Sequence, residues 1–155
     1  MKDRIKIKSD WSGYENKIPD TTQEGLENEI TFLGKNQHIK IVSHFAKSRT
    51  ASGGANSRRP DLSYGVDYSK KLNLPKYGLF NLNISHRYIG DHLDWNGVSN
   101  TFVKSVDLVD MSINKNFYNN VISFNFTNLL NERYEKPGTY SQDGRQVSFG
   151  FLKSY

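Results

Sequence analysis

From Val147 onward the chain alternates with a period of two. Val147, Phe149, Phe151 and Tyr155 fall on one phase, and Gln146, Ser148, Gly150 and Ser154 on the other. Successive side chains of a strand point to opposite faces, so the pattern predicts a strand with one greasy and one polar side. The same alternation recurs upstream between clusters of turn residues, which predicts an antiparallel meander of about eight strands. The first, about Asp3 to Trp11, sets Ile5 and Ile7 against Lys6 and Lys8. The second, about Gln23 to Leu33, sets Leu26, Ile30 and Phe32 against Glu27, Glu29 and Thr31, and in the third Ile39, Ile41 and Phe45 alternate with Lys40, His44 and Ala46. The fourth alternates Leu62, Tyr64, Val66 and Tyr68 with Asp61, Ser63, Gly65 and Asp67. The fifth does so with Phe80, Leu82, Ile84 and Tyr88 against Asn81, Asn83, Ser85 and Arg87. The sixth, about Phe102 to Asn114, carries Val109, Met111 and Ile113 opposite Asp110 and Ser112. The seventh sets Ile122, Phe124 and Phe126 against Ser123, Asn125 and Thr127, and the segment from Gln146 is the eighth.

The connections alternate in length. They are long at 12–22, 51–58, 91–101 and 133–142, and short at 34–37, 72–76 and 115–119. Bacterial outer-membrane barrels have short periplasmic turns and longer extracellular loops, and strands of about 10 residues cross their apolar band at a tilt. In that phase the last strand ends at the periplasmic side. Asp67, Arg87 and Asp110 then fall on the face of a wet lumen that hydrates them. A soluble β-sandwich shares the alternation, so the pattern by itself leaves that architecture open.

Composition changes the picture by weakening a conventional core. Only 35% of the 155 residues are hydrophobic, mean hydropathy is -0.70, and yet 13% are aromatic, too many for a disordered chain. A barrel that is apolar outside and polar inside reconciles these values. No apolar run approaches the roughly 20 residues of a membrane helix. Met1 to Lys8 has no apolar h-region, so it is not expected to act as a signal peptide. The net charge of +5 comes from scattered Lys and Arg without a basic helix or an aromatic-basic signature, which argues against a nucleic-acid partner. The absence of cysteine excludes disulfides and thiolate metal sites.

Candidate chemistry is sparse. None of His38, His44, His86 and His92 has helical zinc-site spacing, and His86 with His92 straddles a strand end where an interface histidine is the simpler reading. Gly53-Gly54 lacks the Lys-Ser/Thr of a phosphate loop. Glu27 and Glu29 share a face, as an acid-base pair or a hydrated lumen wall would. Asn83-Ile84-Ser85 and Asn125-Phe126-Thr127 match a glycosylation pattern by chance within strands. The expectation is therefore no catalytic, cofactor-binding or metal residue, and no enzyme. Trp11, Tyr14, Tyr88, Trp95 and Tyr134 fall toward the long-loop ends and Tyr68, Tyr77, Tyr118 and Tyr155 toward the short-turn ends, as two interfacial girdles would.

Four short motifs carry a family resemblance. Asn128-Leu129-Leu130-Asn131-Glu132-Arg133-Tyr134 resembles the Asn-Leu-Phe-Asp-x-x-Tyr element of TonB-dependent outer-membrane receptors, the siderophore and cobalamin transporters. Pro137-Gly138 and Gly144-Arg145 resemble the loop and Pro-Gly-Arg element ahead of their last strand, with Asp143 where Pro is usual. Arg58-Arg59-Pro60 resembles their Arg-Arg-Pro strand start, and Thr22-Gln23-Glu24-Gly25-Leu26-Glu27 their Gly-hydrophobic-Glu element. The order and spacing agree over nearly the whole chain.

The resemblance implies that residues 1–155 are the C-terminal segment of a receptor barrel, with the plug domain and upstream strands absent, since family members close about 22 strands around a plug. Its implied function is energised uptake of a siderophore- or cobalamin-like ligand at the outer membrane, if the segment is exported within a longer chain. The segment then supplies wall, through lipid-facing Phe80, Ile84, Phe124 and Phe149, and ligand-contacting loops such as Asp91 to Asn100. Its implied partners are membrane lipid, lipopolysaccharide and the barrel assembly machinery, which reads the last strand. Lys153 on the apolar phase weakens that signal. TonB would be met only through the absent plug. Two other readings stand beside it: a self-contained eight-stranded outer-membrane barrel with a structural, adhesive or small-pore role, and a soluble β-domain that binds a polar ligand.

Overall fold

The structure, a computed structural model, describes residues 4–7, 12–17, 22–50, 52–95, 98–136 and 140–153. Its ordered elements are all strands. A small ladder pairs β1 (Arg4–Ile7) with β2 (Tyr14–Lys17). The main sheet comprises β3 (Thr22–Leu33), β4 (Gln37–Arg49), β5 (Leu62–Leu74), β6 (Gly78–Ile89), β9 (Val106–Phe117), β10 (Asn120–Thr127) and β11 (Gln146–Lys153). Between β6 and β9 lies a second small ladder, β7 (His92–Trp95) with β8 (Asn100–Val103). The main sheet has seven strands in the order β11-β10-β9-β6-β5-β4-β3, every pair antiparallel. Tight turns at 34–36, 75–77 and 118–119 close one end, and the connections 50–61, 90–105 and 128–145 lie at the other.

The meander is thus the expected one with two corrections. Arg4–Ile7, within the expected first strand, pairs with Tyr14–Lys17 and not with the main sheet. The expected sixth strand is two: β8 ends at Val103 and β9 starts at Val106. Val103 and Val106 are both buried although three residues apart, which a single alternating strand cannot provide. Within the expected loop Asp91 to Asn100, His92–Trp95 is a strand that pairs with Asn100–Val103. Trp11, Ala51, Pro137, Gly138, Ser154 and Tyr155 lie outside the described residues, as do the side chains of Tyr14 and Trp95.

Register decides the rest. Residues directly opposite on antiparallel strands share a face. Phe32, Ile39, Tyr68, Ile84, Met111, Phe126 and Val147 form one row across all seven strands. One residue away, His38, Ser69, Asn83, Ser112, Asn125 and Ser148 form the row on the opposite face, with Asn83 Nδ2 donating to Ser112 Oγ at 3.1 Å and Asn125 Nδ2 to Ser148 Oγ at 3.4 Å. Phe80, Ile84, Phe124 and Phe149 all lie on the apolar face, where the rings of Phe124 and Phe149 sit 5.2 Å apart. Asp67, Arg87 and Asp110 lie on the polar one, where Arg87 Nη2 donates to Asp110 Oδ2 at 2.9 Å. Tyr68 corrects one expectation, since it occupies the middle of β5 opposite Ile39 and Ile84, away from the short turns. Tyr77 and Tyr118 do occupy those turns, exposed.

The sheet is open: β3 and β11 are its two edges and do not pair with each other. The accessible surface of 11650 Å² is close to half as much again as the about 8000 Å² expected of a compact monomer of this mass. Leu26, Phe32, Phe45, Phe124, Phe149 and Phe151 are all exposed. Among the described residues the few buried apolar ones, Ala46, Val103, Val106 and Leu108, gather at the long-loop end.

Gly90 is required where β6 leaves the sheet. Its N–H donates to the Leu62 carbonyl at 2.9 Å, and an added Cβ would stand 2.6 Å from that oxygen. Gly90→Ala is expected to cost about 1–3 kcal/mol in denaturant unfolding in detergent. Gly54→Ala, whose Cβ would meet only Thr50 Oγ1 at 3.4 Å, is expected to be near neutral.

Candidate functional site

At the long-loop end of β6 and β9 the two-faced pattern inverts, while on β3 to β5 Leu26, Phe45 and Leu62 keep the apolar face. Ile89 is opposite Val106, and Arg87 opposite Leu108, on the face that is polar lower down. Tyr64, Tyr88 and Asp107 share the other face, next to the row of Val66, His86 and Val109. There the rings of Tyr64 and Tyr88 stack at 5.0 Å, Tyr64 and His86 lie 5.6 Å apart, and His86 Nε2 meets Asp107 Oδ1 at 2.8 Å.

The inward apolar residues are covered by the connections. Ile89, Val103 and Val106 line a cavity of about 440 Å³ together with Arg58, Asp94 and Tyr134. Lys104, Glu135 and Lys136 edge it, so its polar margin carries both signs with cations in excess. Arg58 fastens the cover. Its backbone N–H donates to the Leu93 carbonyl at 2.6 Å and its Nε to Asp94 Oδ1 at 2.5 Å, and Asp94 is only 2% exposed. Ser57 Oγ donates to Asn100 Oδ1 at 2.6 Å, tying the same connection to β8. Arg58 has φ of 61°, a left-handed conformation that the surrounding bonds hold.

The motif from Asn128 to Tyr134 forms a second fastening. Asn128 and Asn131 have φ of 52° and 59°, a region that asparagine tolerates better than most residues. Asn128 is 3% exposed. Its Nδ2 donates to the Glu132 carbonyl at 2.8 Å and to that of Asp143 at 3.3 Å, while its Oδ1 accepts from the Glu132 N–H at 2.9 Å. Its own N–H donates to Asp110 Oδ1 at 2.9 Å. Asn131 Oδ1 accepts from the Arg145 N–H at 2.9 Å, and Arg145 Nε donates to the Leu129 carbonyl at 2.9 Å. The ends of the connection 128–145 are therefore knotted where β11 starts.

The third connection is held by Arg49 and Asp61, which pair through two bonds, Nη1 to Oδ1 at 3.0 Å and Nη2 to Oδ2 at 2.6 Å. The bond from Arg49 holds the Asp61 carboxyl below its usual range, against a partial opposing effect of burial.

The titratable residues singled out in the sequence are dispersed among structural partners. Glu27 pairs with His44 Nδ1 at 3.0 Å and Glu29 with Lys40 Nζ at 3.0 Å, so the two carboxylates are each engaged elsewhere. His86 pairs with Asp107, while His92 Nδ1 meets the Gly90 carbonyl at 3.0 Å. No group of three metal-binding side chains occurs among the described residues. Arg58-Arg59-Pro60 is a clasp in the connection, and the strand begins only at Leu62. The pairing of Arg58 with Asp94 spans 36 residues, and no local spacing signals it.

No family model and no curated protein matches the sequence. Solved structures do match the fold. The ferric yersiniabactin uptake receptor FyuA from Yersinia pestis superposes with a TM-score of 0.74 at 17% identity, over 85% of this chain and 23% of the receptor. FpvA from P. aeruginosa, solved bound to a heterologous pyoverdine and iron, gives 0.74 at 17% identity, over 97% of this chain and 23% of its own. The FrpB iron transporter from Neisseria meningitidis gives 0.70 at 14% identity, over 97% and 27%. The chain therefore has the strand fold of TonB-dependent outer-membrane receptors, and it spans about a quarter of the length of those it matches. These neighbours are receptors and transporters.

Asn128→Ala is expected to leave the Glu132 N–H and two carbonyls without their partner at a cost of about 1–3 kcal/mol, read as faster proteolysis within 128–145. The Asp61 carboxyl is depressed in the folded chain, so its contribution is present above the ordinary value of 3.8 and lost as pH falls through the folded value. Because Asp61 is partly exposed, screening keeps the effect small. Acid is expected to loosen 50–61 in hydrogen exchange, and Asp61→Asn to remove that pH dependence.

Proposed function

We propose that residues 1–155 form the C-terminal part of the barrel wall and extracellular rim of a TonB-dependent outer-membrane receptor that takes up a ferric siderophore. One observation carries this reading: a single sheet with an apolar face across its middle and short-turn side, a polar face opposite, tight turns at one end and fastened long loops at the other. In an outer-membrane barrel the first face meets lipid, the second the lumen, and the loops the outside. The rim cavity beside Arg58, Lys104 and Tyr134 is where this segment meets an anionic chelate. The ligand class follows the neighbours, since FyuA is a ferric yersiniabactin uptake receptor and FrpB an iron transporter.

In this reading the chain sits in the Gram-negative outer membrane against phospholipid and lipopolysaccharide. The assembly machinery meets β11, and the plug and the strands beside β3 and β11 come from further sequence. TonB acts through that plug and not on this wall. The open edges and the quarter-length match support a part over a self-contained barrel. Unpaired edges and an uncovered apolar face make an isolated segment an aggregation hazard.

Two measurements test the reading. Sequencing the DNA upstream of the Met1 codon is expected to reveal an in-frame plug and further strands, while a stop codon directly before it with a separate promoter would overturn the proposal. Urea-solubilised chain diluted into phosphatidylcholine vesicles is expected to float with them, and Ile84→Lys at mid-strand to weaken that association by about 2–4 kcal/mol. Asn83→Lys on the opposite face is expected to leave it nearly unchanged. Equal effects of the two changes would point to a soluble β-domain.

A further inference from the structure

The sheet is electrically lopsided along its strands. The row of Lys40, Asp67, Ser85 and Asp110 crosses its middle. On the short-turn side of that row, the described part of the sheet and its turns contains Lys35, Lys70, Lys71, Lys76, Lys115 and Lys153, and no Asp or Glu. All the carboxylates of the main sheet lie in that row or on the long-loop side.

Lys70, Lys115 and Lys153 start from the apolar face, Lys71 from the polar one, and Lys35 and Lys76 from the turns. Lys70 is opposite Leu82, and Lys115 is opposite both Phe80 and Ile122, so their stems start among apolar side chains. The Lys115 ammonium lies 5.1 Å from the Phe80 ring centroid and 6.0 Å from that of Phe117. Lys76 Nζ lies 5.6 Å from the Tyr77 ring in the turn. A long stem along apolar surface with the charge at its edge is the arrangement lysine adopts at a membrane interface.

We infer that the short-turn end docks on the phosphate headgroups of anionic glycerophospholipid. The inference rests on the membrane reading above. It adds a lipid preference and a leaflet, because short turns face the periplasm in such barrels. The chemistry selects this partner. The layer that covers Phe80, Ile122 and Phe149 must present its headgroups at the level where Lys70, Lys76 and Lys115 end, and no Asp or Glu lies on that part of the described sheet to compete with a phosphate for these three. Nucleic acid would satisfy the charge but leave the adjoining apolar face uncovered. Each lysine within a Debye length of an anionic surface contributes about 1 kcal/mol, roughly fivefold in affinity.

The test is flotation of the full chain, diluted from urea into vesicles of phosphatidylcholine alone or of phosphatidylcholine mixed with phosphatidylglycerol. Binding is expected to be on the order of tenfold or more tighter to the mixed vesicles at low salt, with the gain lost at high salt. The variant K70Q/K76Q/K115Q is expected to lose most of that gain while floating with phosphatidylcholine as before. K47Q/R59Q/R133Q removes equal charge from the long-loop end and is expected to keep it. Equal binding to both vesicles overturns the inference but leaves the membrane reading standing. A gain that survives K70Q/K76Q/K115Q, or that falls equally in both variants, overturns it in favour of overall net charge. No flotation with either composition, by chain that stays in the supernatant when diluted without vesicles, overturns both.

Discussion

A strand allows each side chain only two directions, and seven strands paired in one register multiply that restriction into two surfaces. The row from Phe32 to Val147 and the row from His38 to Ser148 are neighbours in sequence at each of the six strands they share, yet lie on opposite sides of the sheet. A slip of one residue in any pairing would carry phenylalanine into the asparagine and serine ladder and polar side chains onto the apolar face. Neither surface can serve as the core of this sheet alone, because nothing among the described residues packs across most of it. Stability in this fold therefore depends on surroundings that differ on the two sides, and the register is what sorts the residues between them.

The inversion near the long-loop end follows from the same restriction. Below it the outward positions are Ile84, Met111 and Phe126; above it they include Asp107 and two stacked tyrosines. Inward, Ser112 and Asp110 give way to Leu108 and Val106. Along β6 and β9 an environment apolar outside and wet inside changes over within a few residues to one polar outside and roofed inside. The roof consists of the β7–β8 hairpin and the connections, held by Arg58 on Asp94 and by the asparagines of 128–131. Removing the roof would expose valines and leucine on a face otherwise built for water, so the loops and the top of the wall stabilise one another.

Alternation was enough to read the main strands from β3 onward, because period two is strong wherever the two sides differ in polarity. It failed where they do not. At Phe102 to Val106 the phase changes with the environment, so an uninterrupted strand was the natural but mistaken reading, and Tyr68 showed that ring chemistry alone does not fix height in the sheet. The knot at Asn128 and Asn131 was legible as a motif, since its members are close in sequence, though not as a set of bonds. The clasp of Arg58 on Asp94 was illegible, because a contact across 36 residues leaves no local trace. Seventeen per cent identity to receptors of the same fold fits this division, for many sequences satisfy a two-phase rule.

The asparagine knot has a further consequence for how the last two strands find each other. A hairpin closed through residues 128–145 must first confine a long connection, and the entropic cost of that confinement precedes any gain from the ladder. The bonds of Asn128 to Asp143 and of Asn131 to Arg145 hold the two ends of this connection together at the point where Thr127 meets Gln146. Unlike a crosslink, they do not constrain the unfolded chain; they offset part of the closure cost at the moment the hairpin forms. Being hydrogen bonds, they need no oxidant and no isomerase, and a hairpin that opens can close again in the same register.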